Sequence, residues 1–158
     1  MGSPFLHLSV KPQLACEFLG VFARFEFALK ATRFACGDTS QVNPDWDTFA
    51  GEIDTKFNLV KDEEFKEAAN CLLCFPPKKQ VLSGKTIKWL DSPPDPHLPR
   101  AQRVILMVRR VRNNLFHGGK FPTPDGNMER DTALVSHSLV VLRTCLRLNH
   151  EVEAAYGN

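Results

Sequence analysis

Residues Lys11–Phe34, with the sequence KPQLACEFLGVFARFEFALKATRF, set the fold class. Their apolar residues recur at steps of three and four, the spacing of one face of an α-helix. That face carries Leu14, Phe18, Leu19, Phe22, Phe25 and Leu29. Pro12 suits the first helical turn, and Gly37 suits the stop that follows. The pattern predicts a long amphipathic helix near the start of the chain.

Further helical patterns follow along the chain. Residues Arg100–Phe116 predict a second long helix with a continuous apolar stripe. Residues Asp131–Glu153 predict a long C-terminal helix, apolar enough to be buried against the core and against a partner chain. Shorter helices are expected through Phe49–Phe57 and over Asp62–Leu73, the second with acids in its first turn, where the helix dipole favours them.

A segment rich in Pro and Gly, about residues 76–99, lies between these helices. It predicts an irregular loop, within which Thr86–Leu90 fits either a helical turn or a short strand. The whole chain, residues 1–158, is therefore expected to form a single all-α domain. We expect a bundle of four to five helices, with two long helices and a long C-terminal helix.

Composition narrows the class of protein. The 158 residues suit one domain, and 43% apolar with 24% charged residues is an ordinary globular balance, unlike that of a disordered chain. No run approaches the roughly 18 apolar residues of a membrane span. The first residues lack the charged and then apolar pattern of a signal peptide. We expect a cytoplasmic protein with no membrane association.

The five cysteines are scattered and do not form a dense disulfide pattern. Cys71 and Cys74 have the spacing of half a zinc site, but no second pair accompanies them. A redox pair at this spacing is typical of a βαβ context, which is not predicted here. We expect reduced, buried thiols, with no metal and no cofactor.

Charge is distributed unevenly along the chain. The net formal charge is only +2, yet residues 78–120, here called the basic segment, contain ten Lys or Arg and two Asp. Such a segment predicts a positive surface that faces an anionic partner such as RNA. The alternative is an ordinary helix face with its charged groups in water.

The most unusual segment is Arg110–Gly119, RVRNNLFHGG. The Asn113–Asn114 pair is a poor choice inside a helix, because Asn competes for backbone hydrogen bonds. His117 directly precedes Gly118–Gly119, which allows the backbone to turn sharply. On a regular helix Arg112 and His117 lie about 140° apart, so they share a face only if the helix ends or distorts there.

These residue types suit one kind of chemistry. Arg binds two phosphate oxygens at once, and His transfers a proton near neutral pH. Metal-independent RNA cleavage needs a base for the 2′-hydroxyl, an acid for the leaving 5′-oxygen and a cation for the phosphorane. One His does not readily supply both proton transfers, whereas two copies across a dimer axis do. No cluster of metal-ligating residues accompanies the segment.

The segment resembles the signature of the HEPN family (higher eukaryotes and prokaryotes nucleotide-binding domain). That signature is an Arg, four to six residues and then a His, near the end of a late helix. Arg112, followed by Asn113 and later by His117, matches it in residue type, spacing and position. In the first helix, FARFEFALK (residues 22–30) is similar to the opening helix of HEPN proteins of the prokaryotic defence type. The resemblance covers both long helices and the helical order between them.

The resemblance implies a helical bundle that dimerises so that two motifs share one cleft. Active members are metal-independent endoribonucleases, often toxins or effectors in phage defence. The implied partners are an RNA substrate, a second copy of the chain, and an antitoxin or a larger defence complex. The implied site comprises Arg112, Asn113 and His117 as catalytic residues; Arg109, Arg110, Asn114 and Lys120 as substrate-binding residues; and Glu26 and Lys30 as supporting residues. One subgroup carries a modified Tyr two residues after the His, where this chain has Gly119.

Other interpretations of the same residues stay open. Some HEPN proteins are inactive and act as modules that bind a nucleotide, RNA or a protein. Arg112 also fits a structural ion pair with an acid on a neighbouring helix. His117 fits a helix C-terminus, where its charge complements the dipole. Glu26 and Lys30 have the spacing of an ordinary stabilising pair on a helix surface. An unrelated helical interaction domain is a further alternative.

Overall fold

The computed structural model describes residues 8–116 and 128–158, which form a mainly α-helical fold with two small sheets. In chain order the elements are α1 (Pro12–Lys30), β1 (Ala35–Gly37), β2 (Val42–Pro44), α2 (Trp46–Leu59), α3 (Glu63–Cys74), β3 (Lys79–Ser83), β4 (Thr86–Leu90), α4 (Arg100–Phe116), α5 (Met128–Arg147) and α6 (His150–Gly157). Each sheet is one antiparallel pair, β1 with β2 and β3 with β4. Within these residues no sheet has three strands, as expected, but the prediction of an all-α chain was incomplete.

Local capping explains where several helices begin. Asp45 starts α2 by accepting a hydrogen bond from the Thr48 backbone N–H, and Asp62 starts α3 in the same way with Phe65. The first helix has no such side-chain cap. It begins instead with Pro12, whose missing N–H would have no helical partner at that position.

One part of the core is an aromatic cluster that joins α1 to the start of α2. Phe25 stacks on Trp46 with ring centroids 5.1 Å apart and meets Phe49 edge-on at 5.4 Å. Phe22 lies 5.3 Å from the same Trp46 ring. The helix α4 packs on α2, α3 and α5 and buries Val104, Val108 and Val111. This burial fixes which side of α4 reaches the surface.

The first helix is shorter than predicted. It ends at Lys30 and not at Phe34, although Phe34 is still buried and packs edge-on against Phe49. The chain then turns into β1, where Gly37 has φ +122°. A Cβ at Gly37 would lie 2.1 Å from the Gln41 carbonyl oxygen, so this turn requires glycine.

The segment predicted to be an irregular loop contains a β-hairpin, β3–β4. Its register pairs Gln80 with Trp89 and Leu82 with Ile87. Gly84, at φ +63°, opens the two-residue turn, and this geometry is typical of a type II′ hairpin. The prolines that suggested an irregular loop are Pro93, Pro94, Pro96 and Pro99, which all follow the hairpin. Of the two options for Thr86–Leu90, the strand is the one observed.

The predicted long C-terminal helix is two helices. Its first part, α5, ends at Arg147, and Asn149 caps α6 by accepting hydrogen bonds from the N–H groups of Glu151 and Val152. This cap, which sequence periodicity does not detect, raises the helix count to six in the described residues. Arg24 on α1 donates to the Tyr156 carbonyl at the end of α6 and so ties the first and last helices together.

The cysteines are all free, but the expectation that they are buried holds only in part. Cys145 is fully buried, and burial raises the pKa of its thiol. Cys16, Cys36 and Cys74 are exposed. Cys71 is half-buried, and its pKa is raised by burial and then by the neighbouring Cys74. Separately, none of the helices in the described residues is both long and apolar enough to cross a membrane.

Candidate functional site

The last turns of α4 present two different surfaces. The buried stripe of α4 faces the core, so at about 100° per residue Arg109, Arg112 and Asn113 lie along one side of the helix. Arg110 and Asn114 lie on another side, toward the hairpin β3–β4. Their closeness in sequence suggests one site, whereas the structure separates these residues into two groups.

Arg112 has three neighbours that hold its guanidinium in place. Its Nη1 donates to the Asn113 side-chain oxygen at 3.0 Å, and its Nη2 lies 3.9 Å from the Glu26 carboxylate. The carbon at the centre of the guanidinium lies 5.3 Å from the centre of the Phe22 ring. The Arg112 side chain remains 32% exposed. One face of the guanidinium is thus supported by α1, and part of the group stays accessible to solvent.

This arrangement suits anion binding. A guanidinium packed on an aromatic ring loses little freedom when it binds a phosphate, because its plane is already oriented. The ion pair with Glu26 is long, and both side chains are about 30% exposed, so solvent weakens it. A phosphate that approaches the exposed edge of Arg112 therefore competes with a weak partner.

The spacing on α1 is that of an ion pair between Glu26 and Lys30, but the structure shows no such pair between these two described residues. In the described residues the ion-pair partner of Glu26 is Arg112 on α4. Helical spacing shows only which residues are neighbours along one helix, whereas this contact depends on how α4 crosses α1. The structure thus contains the acid on a neighbouring helix that the alternative interpretation of Arg112 required.

Arg110 and Asn114 hold the base of the hairpin. Arg110 donates to the backbone carbonyls of Pro77 at 3.2 Å and Ser92 at 2.5 Å, and burial lowers its pKa. The buried Asn114 amide donates to the Lys78 carbonyl at 2.8 Å. Both side chains donate hydrogen bonds to backbone carbonyls of the hairpin, and their predicted contact with substrate stays a prediction.

Of the remaining predicted site residues, the structure describes two and leaves two outside the described residues. Arg109 lies 3.6 Å from the exposed Asp47 carboxylate, at the start of α2. Lys30 is half-buried on α1. His117 and Lys120 lie outside the described residues, so their assignments stay predictions.

Most arginines of the basic segment form ion pairs or hydrogen bonds within the protein. Besides Arg109, Arg110 and Arg112, Arg100 donates to the Asn70 side chain at 2.9 Å. Within the described ranges, no acid lies at ion-pair distance from Lys79, Lys85 or Lys88, and all three lysines are exposed on the hairpin. Much of the solvent-exposed positive charge of the basic segment therefore lies on a β-hairpin. The absence of acids between Lys79 and Leu90 is the sequence feature that could have indicated this surface.

Potential metal ligands are dispersed in this part of the chain. Over residues 8–116 and 128–158, no three His, Cys, Asp or Glu side chains come close enough together to hold a metal ion.

No protein-family model, no curated protein and no solved structure matches this chain. Its function therefore has to follow from the chemistry of the last turn of α4 and of the hairpin.

Proposed function

We propose that this protein is a metal-independent endoribonuclease with a HEPN-like helical bundle. The observation that carries the proposal is the partly exposed Arg112, oriented by Asn113 and by the Phe22 ring. It lies on the last turn of α4, directly before the segment that contains His117 in the sequence. This places an oriented cation close in sequence to a residue that transfers protons at neutral pH.

The proposed reaction uses the RNA as its own nucleophile. The 2′-hydroxyl oxygen attacks the adjacent phosphorus, the bond from phosphorus to the 5′-oxygen breaks, and a 2′,3′-cyclic phosphate forms. The 2′-hydroxyl gives its proton to a base, and the leaving 5′-oxygen receives one from an acid. Arg112 stabilises the negative charge of the phosphorane, and Asn113 orients Arg112. His117 supplies one of the two proton transfers.

The test uses purified protein, mixed RNAs and an excess of chelator. Cleavage is expected to continue in chelator and to leave a cyclic phosphate on the 5′ fragment, detectable by mass spectrometry. A 2′-deoxy substitution at the cleaved position should abolish cleavage, because the nucleophile is then missing. Cleavage that stops in chelator, or that extends to DNA, would contradict this mechanism.

A two-fold dimer is part of the same proposal. One His per chain in the motif leaves one proton transfer unassigned, and a second copy facing the first provides it. We expect light scattering to give the mass of a dimer at micromolar concentration. A monomer with full cleavage activity would show that one chain suffices and that the dimer is not required.

The cellular role that we propose comes from the resemblance. The protein would act as a cytoplasmic toxin or effector in prokaryotic defence, restrained by an antitoxin or held in a larger complex. Induced expression in a bacterial host is expected to stop growth, and the His117→Ala variant is expected to permit it. Equal growth arrest by both proteins would argue against a role that depends on RNA cleavage.

A second candidate function is a catalytically inactive HEPN module that binds a nucleotide, RNA or a protein. The contact between Arg112 and Glu26 favours it, because a cation paired with a carboxylate in the same chain has a structural use. The cleavage assay separates the two candidates. An inactive module would bind RNA or a partner without producing fragments, and His117→Ala would leave that binding unchanged.

A further inference from the structure

We propose that the hairpin β3–β4 is an arm that binds the sugar–phosphate backbone of single-stranded nucleic acid. This inference rests on the proposed function only for the class of substrate. The arm itself is argued from its shape, its charge and its attachment to α4.

The outer half of the hairpin projects into solvent. Every residue from Leu82 to Lys88 is exposed, and the large apolar side chains of Leu82 and Ile87 are 74% and 57% exposed. Between them, Gly84 and Lys85 form the tight turn. An isolated two-stranded hairpin gains little stability of its own, so the part beyond its base contributes little to the core.

The two faces of the hairpin differ in chemistry. Cross-strand partners share a face, so Leu82 and Ile87 form an apolar pair on one side. The opposite side carries Lys79 and Lys88, which are diagonal neighbours across the two strands. Lys85 stands in the turn at the tip. The arm thus has lysines along one face and at its end, and an exposed apolar pair on the other face.

The charge of the hairpin indicates which kind of molecule binds it. Three lysines and no acid lie between Lys79 and Leu90, and the nearest acid in sequence, Asp91, lies 3.8 Å from Lys78 at the base. A surface that carries only positive charge attracts a polyanion, and the polyanion releases its own counterions when it binds. Leu and Ile side chains make apolar contacts with the faces of bases in proteins that insert them between base steps. A nucleic acid strand has phosphates that bind the lysines and base faces that contact the exposed apolar pair.

The base of the arm connects it to Arg112. Arg110 binds the carbonyls on both sides of the hairpin, at Pro77 and Ser92, and Asn114 binds the carbonyl of Lys78. These anchors lie within two residues of Arg112 on α4. A strand bound along the arm is therefore held at a fixed distance from Arg112. This gives Arg110 and Asn114 a positioning role in place of direct substrate contact.

The test measures binding without cleavage. Fluorescence anisotropy is recorded with a labelled single-stranded DNA and with a labelled 2′-O-methyl oligouridine, neither of which has a free 2′-hydroxyl, over a range of salt concentrations. Lys85→Gln combined with Lys88→Gln is expected to weaken binding of both probes about tenfold at low salt. It should also reduce the slope of log affinity against log salt by about 1.4, since each phosphate contact on a single strand contributes about 0.7.

The matched control is Lys11→Gln combined with Lys61→Gln. Both lysines are exposed, lie outside the hairpin and produce the same change in net charge. This control is expected to bind both probes as the unmodified protein does. Equal losses in the two double variants, or no loss in either, would overturn the proposal. Because the DNA probe lacks the 2′-hydroxyl, its binding tests the arm even if the protein cleaves nothing.

A third variant, Leu82→Ser with Ile87→Ser, tests the apolar face. Both side chains are exposed, so the fold is expected to persist. Binding should weaken severalfold while the salt slope stays unchanged, because apolar contacts release no counterions. A change in the mass of the protein without a change in binding would mean that the hairpin is a self-association surface, and the proposal would be wrong.

Discussion

Replacing His117 by Ala is expected to slow RNA cleavage by about 10²–10⁴-fold, the usual loss when a general acid or base is removed. The imidazole is the group in the Arg110–Gly119 segment whose ordinary pKa lies near neutrality. Arg112 and its oriented guanidinium remain in the variant, so RNA binding should be preserved while the chemical step is lost. Single-turnover rates of fragment formation, measured beside binding of uncleavable RNA, separate these two effects.

His97→Ala is the matched control for this experiment. His97 is exposed in the loop before α4, and its backbone N–H is satisfied by the Asp95 side chain. Its removal is expected to leave cleavage unchanged. Equal rates for His117→Ala and the unmodified protein would remove the proton-transfer role of His117 and with it the proposed mechanism.

A second variant tests whether the guanidinium of Arg112 or only its positive charge is required for cleavage. Arg112→Lys keeps the positive charge but loses the planar fork that binds two phosphate oxygens and packs on the Phe22 ring. Its cleavage rate is therefore expected to be close to that of Arg112→Ala. Full activity in Arg112→Lys would mean that a point charge is sufficient and that the orientation by Asn113 is unimportant.

Replacing Phe25 by Ala is expected to lower the free energy of unfolding by about 3–5 kcal/mol, the range for removal of a buried Phe. Phe25 is completely buried, and its ring contacts Trp46 and Phe49. Its loss leaves a cavity where α1 packs on α2 and removes two aromatic contacts. Urea denaturation followed by tryptophan fluorescence measures the loss, with Trp46 reporting on this region and Trp89 on the hairpin.

Phe27→Ala is the matched control on the same helix. The Phe27 side chain is 48% exposed and contacts the guanidinium of Arg24, with 4.7 Å from the guanidinium carbon to the ring centroid. Its removal is expected to lower the free energy of unfolding by about 1 kcal/mol or less, which is the size of an exposed cation–π contact. Similar losses at both positions would mean that burial of the Phe25 ring between Trp46 and Phe49 does not stabilise the fold more than an exposed ring does.

Helical periodicity predicted much of the fold but not its interruptions. The start of α4 at Arg100 agrees with the prediction because Pro99 and the apolar stripe that follows mark it clearly. The break between α5 and α6 was missed because apolar residues continue through it, and the capping geometry of Asn149 decides it. The hairpin was missed because the prolines of residues 93–99 dominated the composition of a longer segment.

The contacts of the predicted site residues were only partly predictable from the sequence. Asn113 contacts Arg112 as adjacent residues on a helix readily do. Arg110 and Asn114 were grouped with them because they are close in sequence, yet both bind backbone carbonyls of the hairpin. The alternative of an ion pair between Glu26 and Lys30, which their spacing offered, is not observed between these described residues for a similar reason. The side chain of Glu26 contacts α4, and no spacing within α1 reports that.

The sequence by itself determined which segments are helical, where the basic charge is concentrated and which residue types offer acid–base and phosphate-binding chemistry. These properties follow from neighbours along the chain, through the period of the helix and the intrinsic chemistry of each side chain. Only the tertiary structure decided that Arg112 packs on Phe22 beside Glu26, and that the exposed lysines stand on a hairpin held by Arg110 and Asn114. These contacts join residues far apart in sequence, and they arise from how α4 packs against α1 and the hairpin, which local patterns do not encode.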